Sequence, residues 1–255
     1  MSLAGKIVIE MVQRAGIAIF IACVILTGCF SPSKEGGFQE LIGRATLENS
    51  TDHSDIEIFF SDFGFSLLTD SDGTFYLPSE MYEGTWQIIA KFPYYKDAYG
   101  KFEVFEGGLK KPVELKLEQL TAFEINVDRL DYYPAEKIHI VVTLTNLTTE
   151  SISFESESFP LFAVCLAKNF EPRYGGIYIG DKPVPSKFEM APYETKTVEI
   201  FWDIPLDVKP GEYQLFSAPV DSKNHPAYFD PDMTRLHKSL LRKLPYAAIQ
   251  ILPPE

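Results

Sequence analysis

Cysteine is scarce in this 255-residue chain, and where it falls removes most of the chemistry it could do. Cys23 and Cys29 lie near the N-terminus and Cys165 far from both, so neither a cysteine-rich zinc site nor a dense disulfide framework can be assembled. Histidine is also sparse. His53, His139, His225 and His237 include no His-x-x-x-His pair of the zinc-hydrolase type. Positive charge is short, with 23 Lys and Arg against 36 Asp and Glu and a formal net charge of -13. That balance argues against nucleic acid as a partner and against broad electrostatic attachment to anionic lipid. No Gly-x-Ser-x-Gly elbow, Walker loop or dinucleotide-binding glycine pattern occurs, so no cofactor and no enzymatic activity are expected. Long apolar runs are absent too, with one exception at residues 15–26.

That exception has the layout of an export signal. Lys6 and Arg14 precede it, and Leu26-Thr27-Gly28-Cys29 closes it with small residues before a thiol. The run is too short to span a bilayer comfortably as a permanent helix. Leu26-Thr27-Gly28-Cys29 resembles the lipobox of bacterial lipoproteins. The resemblance implies that residues 1–28 are a signal peptide, that Cys29 is acylated and becomes the mature N-terminus, and that membrane lipid is a partner through Cys29. Loss of Lys6, Glu10 and Arg14 would make the formal charge one unit more negative, leaving the acyl chains to do the anchoring. The expected location is the bacterial cell envelope. Phe30 rather than Asp follows the cysteine, so placement in the outer membrane or at the cell surface is expected where the host has an outer membrane. Residues 29–40 read as a lipidated, flexible tether.

From 41 to 120 the chain is a series of strand-length segments separated by turn chemistry. Strands are expected near 43–47, 56–60, 63–67, 74–77, 86–92, 102–104 and 113–117. Trp86, Ile88, Ala90 and Phe92 share one face by the two-residue strand period. Asp72-Gly73 reads as a hairpin turn. A calcium loop over Asp70-Ser71-Asp72-Gly73 is disfavoured, because the position for its bidentate glutamate is Met81. Asp72-Gly73-Thr74-Phe75 followed by Gly84-Thr85-Trp86 resembles the regulatory-like domain found beside carboxypeptidases and in many surface proteins. That family implies a transthyretin-like β-sandwich without a peptidase site over 41–120.

After a boundary near 120–130, strands are expected at 123–127, 137–146, 151–154, 161–167, 196–202, 212–218 and 246–252. In the best of them Ile138, Ile140, Val142 and Leu144 face one way and His139, Val141, Thr143 and Thr145 the other. Val142-Thr-Leu-Thr-Asn-Leu-Thr148, Ile152-Ser-Phe154, Met190-Ala-Pro-Tyr-Glu-Thr195, Phe201-Trp202 and Pro210-Gly-Glu-Tyr213 together resemble the BsuPI-type intracellular proteinase inhibitor family. The resemblance implies an immunoglobulin-like β-sandwich over 121–255. Tyr193 stands where the pattern has glycine. The expected fold class is thus all-β, with two tandem sandwiches and at most a short basic helix near 234–243, capped by Asp232 or Thr234.

Few residues invite a functional role. Cys165, inside an apolar run, reads as a small buried hydrophobe rather than a nucleophile or an intermolecular disulfide partner. His225 with Asp221, Asp230 and Asp232 could gather metal ligands, but a solvated acidic loop is the simpler reading. The excursion from 168 to 189 is expected to be a loop and supplies the candidate partner-binding residues Arg173, Tyr174 and Tyr178, beside paired glycines. Tyr94, Tyr95 and Tyr99 offer similar amphipathic rings, and all of these tyrosines could equally cap the sandwiches or fill their interface. The expected function is non-enzymatic binding or scaffolding in the cell envelope, with an envelope protein or cell-wall material as partner. An extracytoplasmic peptidase inhibitor and an accessory subunit of an envelope enzyme are the alternatives.

Overall fold

Short alternating segments cannot bury a face alone, so they must pair into sheets and stack. The computed structural model describes residues 42–78, 81–105, 108–109, 111–155, 162–177, 187–221, 223–225, 228 and 237–254. The segment expected to be a signal peptide (1–28), Cys29, the expected tether (29–40), Tyr178, Asp230, Asp232 and Thr234 lie outside the described residues. Eight strands precede residue 120: β1 (Ile42–Leu47), β2 (Glu57–Phe60), β3 (Phe65–Leu68), β4 (Thr74–Tyr76), β5 (Gly84–Lys91), β6 (Ala98–Phe105), β7 (Gly108–Leu109) and β8 (Val113–Leu117). Ten follow: β9 (Thr121–Val127), β10 (Asp131–Tyr132), β11 (Lys137–Asn146), β12 (Ile152–Glu155), β13 (Phe162–Lys168), β14 (Glu171–Ile177), β15 (Lys187–Met190), β16 (Thr195–Asp203), β17 (Gly211–Pro219) and β18 (Ala247–Ile251). A single turn of helix, α1 (Lys238–Leu241), lies between the last two.

The chain is all-β, as its periodicity predicts. The first group forms a sheet ordered β4-β1-β8 and another ordered β3-β2-β5-β6-β7. The second forms β16-β11-β9, which faces β10-β18-β17-β13-β14, and a two-stranded β12-β15 ribbon. Among the described residues no sheet shares strands across residue 120. In the first group β8 returns to lie parallel to β1, which aims Ala45, Leu47, Val113, Leu115 and Leu117 at Ile58, Phe60, Ile88 and Phe102. In the second, β11 buries Ile138, Ile140, Val142 and Leu144 as the alternation requires. Its outer face carries a ladder in which His139 stacks on Phe201 and Thr145 meets Thr195. The buried side chains of both groups form one hydrophobic cluster, and residues 40–255 form one compact unit.

Three expectations need correction. The Asp72-Gly73 turn is not a hairpin, since β3 and β4 belong to different sheets and the chain here arches from one to the other. Gly73 holds φ at 89° while its carbonyl accepts from Ala45 N at 2.8 Å, and a Cβ there would sit 2.1 Å from the Ala45 oxygen. Asp70 and Asp72 both accept from Thr74 N, at 2.9 and 3.0 Å, so both carboxylates close the arch. The 168–189 excursion is also not simply a loop. Glu171–Ile177 pairs with β13 and Lys187–Met190 with β12. Pro172 and the glycine pair read as turn punctuation, yet β14 is an edge strand with a register shift opposite Leu166/Ala167, where a missing N–H and a bulge are tolerated. Lastly, α1 is shorter than expected and is capped by His237, whose Nδ1 accepts from Ser239 N at 3.3 Å.

The tryptophans are not equivalent. Trp202 is 6% exposed in the core, whereas Trp86 is half-buried, donates Nε1–H to Tyr82 O at 3.0 Å and lies against Phe63 at 4.5 Å. Trp202→Ala is expected to lower the unfolding free energy by about 3–5 kcal/mol. Trp86→Ala, losing only part of a buried surface, should lower it by about 1–2 kcal/mol. Urea denaturation followed by circular dichroism measures both.

Candidate functional site

The candidate contact residues on β14 are divided between different partners. Arg173 is exposed and ion-pairs with Glu171 at 2.9 Å, and Glu171 also meets Lys238 of α1 at 3.1 Å. Tyr174 is half-buried, packs edge-on against Tyr213 at 6.2 Å and donates to Asp207 O at 3.3 Å. Arg173 therefore offers a reachable cation, while Tyr174 also supports the turn that leads into β17. Tyr99 is exposed, but Tyr94 and Tyr95 are buried. Cys165 is fully buried at the centre of β13.

The buried polar groups gather where the two groups of strands meet. Tyr94 projects from the turn after β5, packs against Phe123 and Phe154, and donates its hydroxyl to Pro219 O at the end of β17. Tyr228 reaches the opposite way. Its hydroxyl donates to Asp55 O at 2.6 Å and accepts from Glu57 N at 3.0 Å, and its ring lies edge-on to Phe92 at 5.0 Å. Lys243, with its side chain 2% exposed, meets Asp52 at 3.5 Å, Ser54 Oγ at 3.2 Å and the face of Phe92 at 5.1 Å. Sequence reasoning singled out neither Tyr228 nor Lys243, because nothing near them in the chain reveals partners so distant in sequence.

Asp221 and His225 also differ from their expected state. They are buried, not solvated: Asp221 accepts from Glu155 N at 3.2 Å and from Asn224 Nδ2 at 2.8 Å, and its other oxygen meets His225 Nδ1 at 3.1 Å. Both oxygens are thus committed to bracing β12 and the segment that presents Tyr228. Among the described residues no group of three His, Cys, Asp or Glu side chains is arranged to hold a metal ion.

An open groove of about 520 Å³ lies between the β8–β9 connection, the β11–β12 loop and the turn before β16. Its walls include Lys96, Glu118, Gln119, Leu147, Glu150 and Tyr193. Asn146 holds the walls together. Fully buried, it donates to Glu150 O and Ala191 O, both at 2.8 Å, and accepts from Thr148 N and Oγ1 at 2.9 and 2.8 Å. Its own N–H goes to Glu194 O at 2.9 Å, and the next residue's goes to Leu120 O at 2.8 Å. The Thr-Asn landmark is therefore a clamp on three segments. Glu48 at the groove's edge is held below the usual carboxylate range by hydrogen bonds from Lys116 and Gln119 N.

Tyr193 stands out on this groove. Ala191-Pro192-Tyr193-Glu194 closes with Glu194 N donating to Ala191 O at 3.1 Å, and Tyr193 has φ of 56°. A proline-initiated turn of this kind usually places glycine at its third position. Holding a side chain there costs about 1–2 kcal/mol. Tyr133-Pro134-Ala135-Glu136 is built the same way, with Ala135 at 66°; in both turns the glutamate carboxylate accepts from the first residue's N–H at 2.7 Å. Among the described residues Tyr94, Phe170 and Tyr193 are the aromatics at positive φ. The rings of Tyr94 and Phe170 pack on other aromatics, which offsets their strain, whereas Tyr193 is 64% exposed. The departure from glycine was visible in the sequence, but its positive φ and exposure were not.

Burial sets the pH behaviour of the junction. It raises the phenols of Tyr94 and Tyr228 well above the ordinary value of 10.0 and that of Tyr95 to about 12, and it lowers Lys243 from 10.5. A raised tyrosine contributes stability that is present below the unfolded-state pKa and is lost as pH rises through the folded one. Lys243 acts with the opposite sign, because its unfolded form binds the extra proton, so its contribution grows as pH rises toward 10.5. With three tyrosines against one lysine, the thermal midpoint should fall as pH rises above 10, in step with tyrosinate absorbance. Tyr228→Phe should reduce that slope and, by leaving Glu57 N without its acceptor, cost about 1–3 kcal/mol at neutral pH. Denaturant titration at both pH values reads the two effects.

No protein-family model matches the chain, and no curated protein matches it. Among solved structures the chain is similar to a DUF3823 family protein from Bacteroides uniformis ATCC 8492, at 8% identity over 84% of this chain and 100% of that one, with a TM-score of 0.35. It is also similar to the native conformation of E. coli alpha-2-macroglobulin, at 15% identity over 74% of this chain and 10% of that one, with a TM-score of 0.27. At these scores neither likeness says what this chain binds or does.

Proposed function

We propose that this protein is a non-enzymatic, lipid-anchored binding or scaffolding module of the bacterial cell envelope. The observation that carries the reading is the way the buried titratable groups are used. Asp221, His225, Tyr228 and Lys243, the groups a reaction would draw on, spend their polar atoms on backbone and on one another across the junction. The amphipathic groups that reach solvent, Arg173 and Tyr193, sit at strand edges and turns, where recognition surfaces are built. Leu26-Thr27-Gly28-Cys29 supports the anchor. The Asp72-Gly73 turn and the parallel return of β8 beside β1 favour reading 41–120 as a regulatory-like, transthyretin-like sandwich. The Asn146 clamp and the Pro-x-Glu turns favour reading 121–255 as a BsuPI-type, immunoglobulin-like one. An acylated Cys29 would concentrate many copies on one membrane, so modest individual affinities would add up to firm attachment.

Intact-mass analysis of membrane-purified protein should find a chain that begins at lipid-bearing Cys29. A chain that retains residues before Cys29 without lipid contradicts the anchor. Recovery of partners from detergent-solubilised membranes tests the binding role. Replacing Arg173, Tyr174 and Tyr178 together with Ala is expected to weaken that recovery several-fold. The Arg173→Ala single variant controls for the packing of Tyr174 on Tyr213, and unchanged recovery in a folded triple variant removes this surface from the reading.

A further inference from the structure

We propose that the groove around Tyr193 is a binding site for a neutral glycan. The inference rests on the binding-module reading and names a ligand class for it. The turn carries an aromatic residue where glycine would relieve the backbone, and among the described residues the ring has no aromatic neighbour. The proline and glutamate make a side chain tolerable at this position but do not call for a large exposed ring, which points to a use for that ring. A phenol ring held open to solvent presents a flat apolar face with a polar edge, which matches the apolar C–H face and hydroxyl rim of a pyranose.

The remaining walls fit the same ligand. Among the described residues the side chains of Lys96, Glu118, Thr149, Glu150 and Ser151 make no hydrogen bond or ion pair within the protein, so their donors and acceptors are available to hydroxyl groups. Carboxylates accept especially strong hydrogen bonds from such hydroxyls. Charge disfavours the competitors: with Glu48 paired to Lys116, Glu118 and Glu150 still outnumber Lys96 and disfavour phosphorylated or acidic ligands. A protein-binding patch would need a contiguous apolar centre, and here Leu147, 41% exposed, is the main apolar companion of Tyr193. The volume is within the range of small-ligand sites, and the Asn146 clamp holds the walls in place before a ligand arrives.

The test is titration of the detergent-purified full chain with four neutral tetrasaccharides: tetra-N-acetylchitotetraose, maltotetraose, cellotetraose and mannotetraose. Saturable binding of at least one is expected. Tyr193→Gly should weaken it at least tenfold while the thermal midpoint stays level or rises by a few degrees, because glycine relieves the positive φ. Tyr193→Phe should keep most of the affinity, and Glu118→Gln with Glu150→Gln should reduce it several-fold. The proposal is overturned if none of the tetrasaccharides binds, if Tyr193→Gly binds as well as the parent, or if that variant loses stability, which would make the ring a structural element. Partner recovery from membranes that persists without glycan binding leaves the broader binding role standing and removes only this site.

Discussion

Two buried phenols exchanged across the junction set the geometry of everything else. Asp55, at φ of 60°, turns the chain into β2, and its carbonyl meets the Tyr228 hydroxyl, which also accepts the N–H of Glu57. Tyr94 sends its own hydroxyl the other way, to Pro219. Leaving such groups unmade in a dry interior costs more than a typical hydrogen bond gains. Each half therefore needs the other's tyrosine, and the two β-rich halves do not behave as beads on a string. Lys243 reinforces the arrangement at a further cost in desolvation, offset by Asp52, Ser54 and the face of Phe92.

Fixing the junction also fixes what surrounds it. The β8–β9 connection is short and is tied on one side to Tyr94, through Leu120 N, and on the other to Leu147 N. The loop after β11 and the turn before β16 are brought to it by Asn146, which satisfies its side-chain amide within the protein. The groove is thus built where three segments meet at one end of the β16-β11-β9 sheet, beside Glu48 and Lys96 of the first half. Its walls are polar and only partly partnered, which is the reverse of the junction beside it, where polar atoms are consumed in structure.

Turn chemistry links the two levels. Tyr133-Pro-Ala-Glu136, Ala191-Pro-Tyr-Glu194 and Lys209-Pro-Gly-Glu212 each lead into a long strand of the second half, and the first two use the glutamate side chain to cap their own first N–H. Proline sets the entry to the turn and the glutamate closes it, so the turn survives substitution of the glycine that would suit it best. Tyr193 exploits that tolerance, and a residue that is a liability to the backbone becomes the most accessible aromatic of its groove.

Strand identity was legible in the sequence because it depends on neighbours two residues apart. The alternation of 137–146, the apolar run through Cys165 and the Pro210-Gly211 turn needed no tertiary information, and neither did the acidic balance. Punctuation misled where an edge strand or a sheet-to-sheet arch relaxes the usual rules, as at Pro172, Gly175-Gly176 and Asp72-Gly73. The contacts between Tyr228 and Glu57, between Lys243 and Ser54, and between Asn146 and Ala191 were decided by the tertiary structure alone. Periodicity reports which face of a strand is buried, but not which distant backbone group a buried hydroxyl, amide or ammonium will meet. That pairing is settled only when the sheets stack and each polar atom withdrawn from water must find a partner inside.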